Sequence, residues 1–208
     1  CPRFDVDVMD DLETAGLAFG RLSAQFIRDK VVPELDAFRF ASYCGISGVT
    51  KKEETLADGA ATVTALSAAV TAMDDEEVTA TGRYLFITPT LLQGINDMDT
   101  TKSKKVLEGF EQVIKVPQRR FYTAIKQLSG KTGEEAGGYT KATGAANINF
   151  AIVQKDALIQ YTKHAAPKII APENNPDADA YVFGYRMVGI AKAYKNMLSG
   201  MYFSHDKA

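Results

Sequence analysis

Residues 10–46 read DDLETAGLAFGRLSAQFIRDKVVPELDAFRFASYCGI, and this stretch decides the fold. Its apolar residues recur at steps of three and four, which predicts one long amphipathic helix. A continuous helix of this length would extend over roughly 50 Å, more than the width of a compact domain of this size. The residues on the apolar face are Leu12, Ala15, Phe19, Leu22, Phe26, Val31, Leu35, Phe38 and Ala41.

The start of this helix and a disturbance within it can also be predicted. Asp10 is a suitable N-cap, with Glu13 placed three residues later as in a capping box. Pro33 lies inside the helix and lacks a backbone donor, so we expect a kink or break near residues 26–30.

A strand precedes the helix. Residues 3–9, RFDVDVM, alternate between apolar and acidic side chains, with Phe4, Val6 and Val8 on one side and Asp5 and Asp7 on the other. A strand this close to the first residue lacks an obvious partner. We therefore expect the natural chain to be longer at its N-terminus and this sequence to be a fragment.

The remaining sequence alternates between helical and extended patterns, which favours an α+β fold with two lobes. In the middle block we predict a helix over 58–77, a strand over 84–87, a helix beginning at Thr88-Pro89, a polar loop over 96–105, and strands over 112–116 and 121–125. Beyond it we predict a mobile loop over 129–144, a buried strand over 148–153, a helix over 155–164, a turn over 173–178, and strands at 169–170, 181–194 and 201–203. The expected lobes are residues 1–48 plus 167–208, with the long helix and long strands, and residues 49–166.

Composition excludes some classes of function. The 208 residues are 46% hydrophobic and 24% charged, with a net charge of −2. The chain therefore has no overall basic field, and we do not expect it to bind nucleic acid by electrostatic attraction. Cys1 and Cys44 do not form a disulfide framework. No apolar stretch has the length of a membrane span, and we expect no membrane partner.

Sequence motifs for catalysis or metal binding are weak. The segment 129–133, SGKTG, contains a Gly-Lys-Thr, but the first glycine of a phosphate-binding loop would have to stand where Ile125 is. His164 and His205 are far apart and have no Cys or His at metal-ligand spacing, so we expect no metal and no cofactor. Patterns typical of nucleophile elbows, zinc proteases or redox dithiols do not occur.

Charged clusters leave alternatives open. The acidic residues Asp5, Asp7, Asp10, Asp11 and Glu13 could act as paired carboxylates or hold a hard cation, but a solvated strand face followed by a helix N-terminus is favoured.

Arg119 and Arg120, which precede Phe121 and Tyr122, could contact nucleic acid; a solvated turn or an interface anchor is favoured. Asp177, Asp179 and Arg186 are candidates for ion pairs within or between subunits.

Several segments occur in an order that resembles the major capsid proteins of tailed bacteriophages. They are RFDVDVMDDLETAGLAFGRLSAQFIRDKVVPELDAFRFA, RYLFITPTLL, VIKVPQRRF, INFAIVQKDAL and PDADAYVFGYRMVGIA, and they cover most of the chain. The resemblance implies the Hong Kong ninety-seven capsid fold, with a spine helix and long strands in a peripheral lobe and a mixed αβ axial lobe. It also implies an N-terminal arm and part of an extended loop upstream of Cys1.

The resemblance further implies what the protein does and what it contacts. Copies of the chain would form hexamers and pentamers of a shell, with a scaffold and a maturation protease as further partners and with DNA enclosed only non-specifically. Loops around 96–105 and 129–144 would lie near the symmetry axes. With the arginine pair, this gives the predicted assembly contacts Asn96, Lys102, Lys104, Arg119, Arg120 and Lys131. Some relatives cross-link a lysine to an asparagine, a role that cannot be assigned to Asn196 here.

Three classes of function follow. The favoured one is a structural subunit of a phage or prophage head, located in the virion capsid and, during assembly, in the bacterial cytoplasm. The second is a cellular compartment-shell protein of the same fold. The third is an enzyme whose site residues converge only in three dimensions.

The glycine-rich segment 129–144 gives a first test. Its five glycines (residues 130, 133, 137, 138 and 144) and few apolar residues leave little to offset the entropy of ordering. We expect limited trypsin digestion to cut first at Lys131 or Lys141. First cleavage between residues 21 and 39 would contradict both the loop and the helix assignments.

Overall fold

The computed structural model describes residues 3–7, 9, 17–134 and 137–207, and of residues 3–6 and 17 it describes the backbone alone. The helices are α1 Leu17–Phe26, α2 Val32–Cys44, α3 Gly59–Asp75, α4 Pro89–Asp97 and α5 Thr101–Glu108. The strands are β1 Arg3–Asp7, β2 Thr50–Glu53, β3 Arg83–Ile87, β4 Gln112–Lys115, β5 Ile125–Gln127, β6 Tyr139–Lys141, β7 Ile148–Gln154, β8 Leu158–Ile170, β9 Ala180–Ala193 and β10 Met201–His205. The predicted α+β class is confirmed.

A π-helical turn, Ile27–Val31, joins α1 to α2, so the helix continues without a break over the described residues 17–44. We call residues 17–44 the spine helix. The N–H of Val32 donates to the carbonyl of Ile27, five residues earlier. Pro33 follows directly, and its ring would collide with the carbonyl of a regular turn, so the wider turn accommodates it. We expected a kink or break near residues 26–30, and the helix instead continues there through the π turn. The predicted cap at Asp10 and Glu13 lies outside the described residues.

One sheet has five strands in the order β2-β10-β7-β3-β4. Every residue of its central strand β7 is buried. Side chains alternate between the two faces of β3, so Leu85 and Ile87 pack with the core of α3, while Phe86 joins the opposite core. There Phe40 of α2 contacts Phe86 and Phe121, with ring centroids 5.3 and 4.7 Å apart. Burial on both faces explains the continuous apolar runs of β3 and β7.

Helices α3 and α4 approach each other closely at a pair of glycines. A Cβ on Gly59 would lie 2.2 Å from the carbonyl oxygen of Gly94, which no side chain can occupy. Asp58 caps α3 by accepting a 2.7 Å hydrogen bond from the N–H of Ala61. Because negative charge is unfavourable at a helix C-terminus, we expected this helix to stop before or within the acidic run of residues 74–77, and it ends at Asp75. The guanidinium of Arg83, 2% exposed, lies 2.7 Å from Asp74.

A second sheet has three strands in the order β1-β9-β8, with β1 antiparallel to β9. The expectation that β1 lacks a partner is therefore wrong. Phe19 contacts Tyr181 and Phe183 of β9 at ring-centroid distances of 5.5 and 6.2 Å, and Phe26 contacts Phe183 at 6.0 Å. We expected Phe19, Leu22 and Phe26 to bury against the strand predicted over 181–194. The contacts confirm this packing for Phe19 and Phe26. The prediction is wrong for Leu22, which is 40% exposed.

The chain forms two compact units. One contains Cys1–Leu35, Lys126–Thr140 and Tyr161–Ile190, and the other contains Asp36–Ile125, Lys141–Gln160 and Ala191–Ala208. The predicted lobes, residues 1–48 plus 167–208 and residues 49–166, have other bounds and remain a prediction about how the subunit is organised.

The predicted polar loop over 96–105 is wrong, because α5 begins at Thr101. The Thr100 hydroxyl accepts from the N–H of Ser103 at 3.1 Å, and the Ser103 hydroxyl accepts from the N–H of Thr100 at 3.2 Å. This reciprocal cap starts a helix whose exposed face is rich in lysine, while Val106 and Leu107 pack against the core.

The predicted helix over 155–164 is also wrong. A single 3-10 turn, Lys155–Ala157, leads into β8, which pairs with β9 along the three-stranded sheet. Strand pairing here overrides a local sequence with little alternation. The strand expected over 121–125 begins only at Ile125, and the loop over 129–144 contains β6, so β5 and β6 form a hairpin.

Truncation of Phe26 tests the packing of the spine helix. Because Phe26 is half-buried and contacts Phe183, we expect Phe26→Ala to lower the free energy of unfolding by about 2–3 kcal/mol. Leu22→Ala, on the exposed side of the same helix, is the matched control and should cost less than about 1 kcal/mol. Equal midpoints in urea for Phe26→Ala and the unmodified protein would contradict the packing.

Candidate assembly surfaces

Three of the predicted contact residues lie on the consecutive helices α4 and α5. Asn96 is exposed near the end of α4, and Lys102 and Lys104 are exposed on α5. The ammonium of Lys104 lies 2.6 Å from the carboxylate of Asp99, and both side chains are largely exposed. Such a pair contributes little to stability. This corner therefore presents polar groups to solvent, and its role in contacts between subunits stays a prediction.

An open groove of about 560 Å³ runs between α3 and α5. Its lining is mostly apolar or small, with two lysines. These residue types provide no acid–base pair and no set of metal ligands, so the groove has no evident chemistry. The lining residues are Ser67, Val70, Thr101, Lys102, Lys105, Val106 and Gly109.

The two predicted arginines follow β4 in a 3-10 turn, Gln118–Arg120, and differ in their surroundings. Arg120 is half-buried, and its Nη1 lies 3.1 Å from a carboxylate oxygen of Asp36 on α2. Arg119 is exposed. In this subunit Arg120 thus ties the turn to the spine helix, and Arg119 is the more accessible of the two.

Lys131 lies at the tip of the β5–β6 hairpin, which one carboxylate holds together. Glu134 accepts hydrogen bonds from Lys126 Nζ at 2.7 Å and from both the N–H and the hydroxyl of Ser129 at 2.8 Å. Lys126 and the two Ser129 groups lower the pKa of Glu134 to about 2. In the segment 129–133, the N–H and the hydroxyl of Ser129 are therefore engaged by a carboxylate of the same hairpin.

A partly buried polar cluster joins the end of β2 to β7 and β10. The buried Ser204 donates to Glu54 at 2.6 Å, and the Asn149 amide donates to the backbone oxygen of Glu54 at 2.9 Å. Lys52 pairs with Glu54 at 3.0 Å, which raises the pKa of Lys52. Ser204 is 0% exposed, so no substrate reaches its hydroxyl. This cluster therefore links β2, β7 and β10.

The remaining sequence candidates do not converge on a site. His164 is exposed on β8, and His205 Nδ1 lies 2.7 Å from the backbone oxygen of Asp206. In the part of the chain that the structure describes, no three His, Cys, Asp or Glu side chains are grouped to hold a metal ion. Of the acidic set, Asp7 is exposed, and the carboxylates of Asp5, Asp10, Asp11 and Glu13 lie outside the description.

Large apolar side chains are exposed on β8 and β9, and the sequence reading missed them as a surface. Tyr161 and Ile169 of β8 are 62% and 57% exposed, and Val188 and Ile190 of β9 are 41% and 45% exposed. Because we expected a helix over residues 155–164, strand β8 was not predicted. Pro167, which is tolerated only on edge strands, was the available signal.

Within the described ranges, no helix has the length and apolarity needed to cross a membrane. Strands β2 and β4 form the two edges of the five-stranded sheet and carry the exposed lysines Lys51, Lys52 and Lys115. Lysines on edge strands oppose pairing with further strands.

Solved structures of viral capsids and particles share this fold. A structure of Mycobacterium phage Che8 matches with a TM-score of 0.61 and 12% identity, over 98% of this chain and 68% of that chain. The virus-like particle from Pyrococcus furiosus matches with a TM-score of 0.61 and 10% identity, over 97% and 73%. The capsid of cyanophage P-SCSP1u matches with a TM-score of 0.54 and 15% identity, over 99% and 71%.

At these identities the likeness establishes the fold, and it confirms the Hong Kong ninety-seven-type capsid fold expected from the sequence resemblance. No protein-family model and no curated protein sequence matches the chain.

The pKa of Glu134 gives a prediction about the hairpin that carries Lys131. A carboxyl whose folded-state pKa is lowered stabilises the fold above its ordinary pKa, and this stabilisation is lost as pH falls toward about 2. We expect the Ser129 amide to be protected from hydrogen exchange near pH 6 and to lose protection between roughly pH 4.5 and 2. Glu134→Gln should weaken that protection and remove its pH dependence, and protection equal to that of the unmodified protein would contradict the network.

Proposed function

We propose that this protein is a structural subunit of the icosahedral head of a phage or prophage. Many copies would assemble through hexamers and pentamers into a shell that encloses DNA. The observation that carries the proposal is the shared fold, which covers 97–99% of the chain in proteins of phages and of a virus-like particle. The proposed role of the subunit is mechanical, and we assign it no catalytic residues.

The exposed apolar residues of β8 and β9 support a protein that works in contact with others. Monomeric proteins rarely expose several large apolar side chains close together, and such surfaces commonly bind other proteins. Each contact in a shell is modest, and stability comes from many contacts acting together. In the proposed assembly, Asn96, Lys102, Lys104, Arg119, Arg120 and Lys131 contribute polar contacts near the symmetry axes.

The proposed partners follow from the same role. Residues 1–48 plus 167–208 would form the peripheral lobe and residues 49–166 the axial lobe. A scaffold and a maturation protease would act during assembly in the bacterial cytoplasm, and the mature protein would reside in the virion. With a net charge of −2, the subunit is suited to enclosing DNA without binding it tightly.

A second candidate is a cellular compartment shell that encloses protein cargo. It is favoured by the match to the virus-like particle from Pyrococcus furiosus, whose TM-score equals that of the phage Che8 structure. The two candidates differ in what the shell contains and not in how the subunit folds.

Assembly and content can be measured together. We expect the complete gene product that contains this sequence to sediment as closed shells or as hexamers and pentamers at micromolar concentration. Nuclease-protected DNA inside particles formed in the producing cell supports a phage head, and a defined protein cargo without DNA supports a compartment shell. A protein that stays monomeric across concentration and ionic strength, even with its scaffold supplied, contradicts both.

A further inference from the structure

The exposed apolar residues of the β8–β9 hairpin lie side by side. A Cβ on Gly189 would be 3.1 Å from the carbonyl oxygen of Tyr161, so the backbone of Tyr161 adjoins the segment that carries Val188 and Ile190. The side chains of Tyr161, Val188 and Ile190 are each more than 40% exposed. Farther along the same pair of strands, Gly184 approaches Lys168, next to the exposed Ile169. The two strands thus carry four exposed large apolar side chains on adjoining segments, an arrangement that commonly marks a binding surface.

The spine helix does not cover this surface. Tyr181 and Phe183 of β9 contact Phe19 of the helix. Side chains alternate along a strand, so Arg186, Val188 and Ile190, an odd number of residues away from Tyr181 and Phe183, point to the opposite face of the sheet. We call these residues, together with Tyr161 and Lys163 of β8, the hairpin strand surface.

Charge is segregated along the hairpin. The charged residues of β8 and of β9 as far as Ile190 are all cations: Lys163, Lys168 and Arg186. In the connecting turn, residues 171–179, they are all anions: Glu173, Asp177 and Asp179. All six side chains are exposed. We call residues 171–179 the hairpin tip.

The hairpin tip has a defined shape. The amide of Asn175 donates to the carbonyl of Ala180 at 2.9 Å, and its side-chain oxygen accepts from the N–H of Asp177 at 3.2 Å. The N–H of Asn174 donates to the carbonyl of Ala171 at 2.9 Å. These bonds close the turn at the end of the two strands.

We propose that the hairpin strand surface is a docking site for a second copy of this chain, whose acidic hairpin tip binds the basic and apolar strands of the first. This inference rests on the proposed shell assembly. The apolar side chains lose water on contact, and the opposite charges fix the partner and its orientation. In this contact the tip of one copy binds the strand surface of another, so each copy can bind one neighbour through its tip and a second neighbour through its strand surface. Such heterologous contacts build rings or lattices.

Charge reversal tests the pairing. The tip variant is Glu173→Lys with Asp179→Lys, the strand variant is Lys163→Glu with Arg186→Glu, and the third variant combines all four changes. We expect each of the first two to lower the assembled fraction about tenfold at physiological salt, and the combined variant to recover it to within about twofold, because opposite charges again face each other. Asp75→Lys with Glu76→Lys, an equal reversal at the exposed end of α3, should leave assembly unchanged.

The outcomes separate this contact from the proposed function. Sedimentation gives the assembled fraction, and thermal unfolding shows that each variant is folded. Shells that form normally from both double variants overturn the contact and leave the function standing. Loss of assembly in the strand variant alone identifies an occupant other than the tip, and failure of the combined variant to recover excludes pairing between tip and strand; both overturn the inference. If the unmodified protein does not assemble at all, the proposed function itself fails.

Discussion

The burial of β7 on both faces is the constraint on which the unit with the five-stranded sheet depends. A strand that is buried throughout needs a hydrogen-bonded neighbour on each side and a packed layer on each face. Strands β3 and β10 supply the ladders, and α3 covers one face with Leu66, Ala69 and Met73. On the other face, Tyr43 and Cys44 at the end of the spine helix complete the core.

The second constraint is the way the spine helix passes Pro33. A proline within a helix removes a donor and crowds the preceding turn, which usually ends or kinks the helix. The π turn at Ile27–Val31 absorbs the disturbance, and helical structure continues on either side. This helix therefore supplies Phe19 and Phe26 to the three-stranded sheet at one end and Phe40 to the five-stranded sheet at the other.

Much of this fold could be predicted where a segment's own residues determine its structure. The apolar runs of β3 and β7, the Asp58 cap of α3 and the Thr88-Pro89 start of α4 carry their signals locally. The start of α5 was missed because its cap is formed by Thr100 and Ser103, without the acidic residue that usually marks such a box. Strand β8 was missed because pairing with β9, and not local periodicity, makes it extended.

The candidate contact residues were harder to predict, because their environment depends on residues distant in sequence. Arg120 pairs with Asp36, which is 84 positions away, so its sequence neighbours do not reveal that it is already partnered. The segregation of charge is visible in the sequence, but only the observed hairpin shows that the anions lie in its connecting turn and the cations on its two strands. A surface that binds another copy has no periodicity of its own.

Whether copies of this chain build a closed shell can be seen directly in a cryo-electron microscopy reconstruction of the assembled gene product. We expect icosahedral particles in which every subunit contains the described fold, with five-fold and six-fold clusters of copies. Particles without closed symmetry, or a subunit density that lacks the Phe26–Phe183 contact or the Phe40–Phe86 contact, would contradict this expectation.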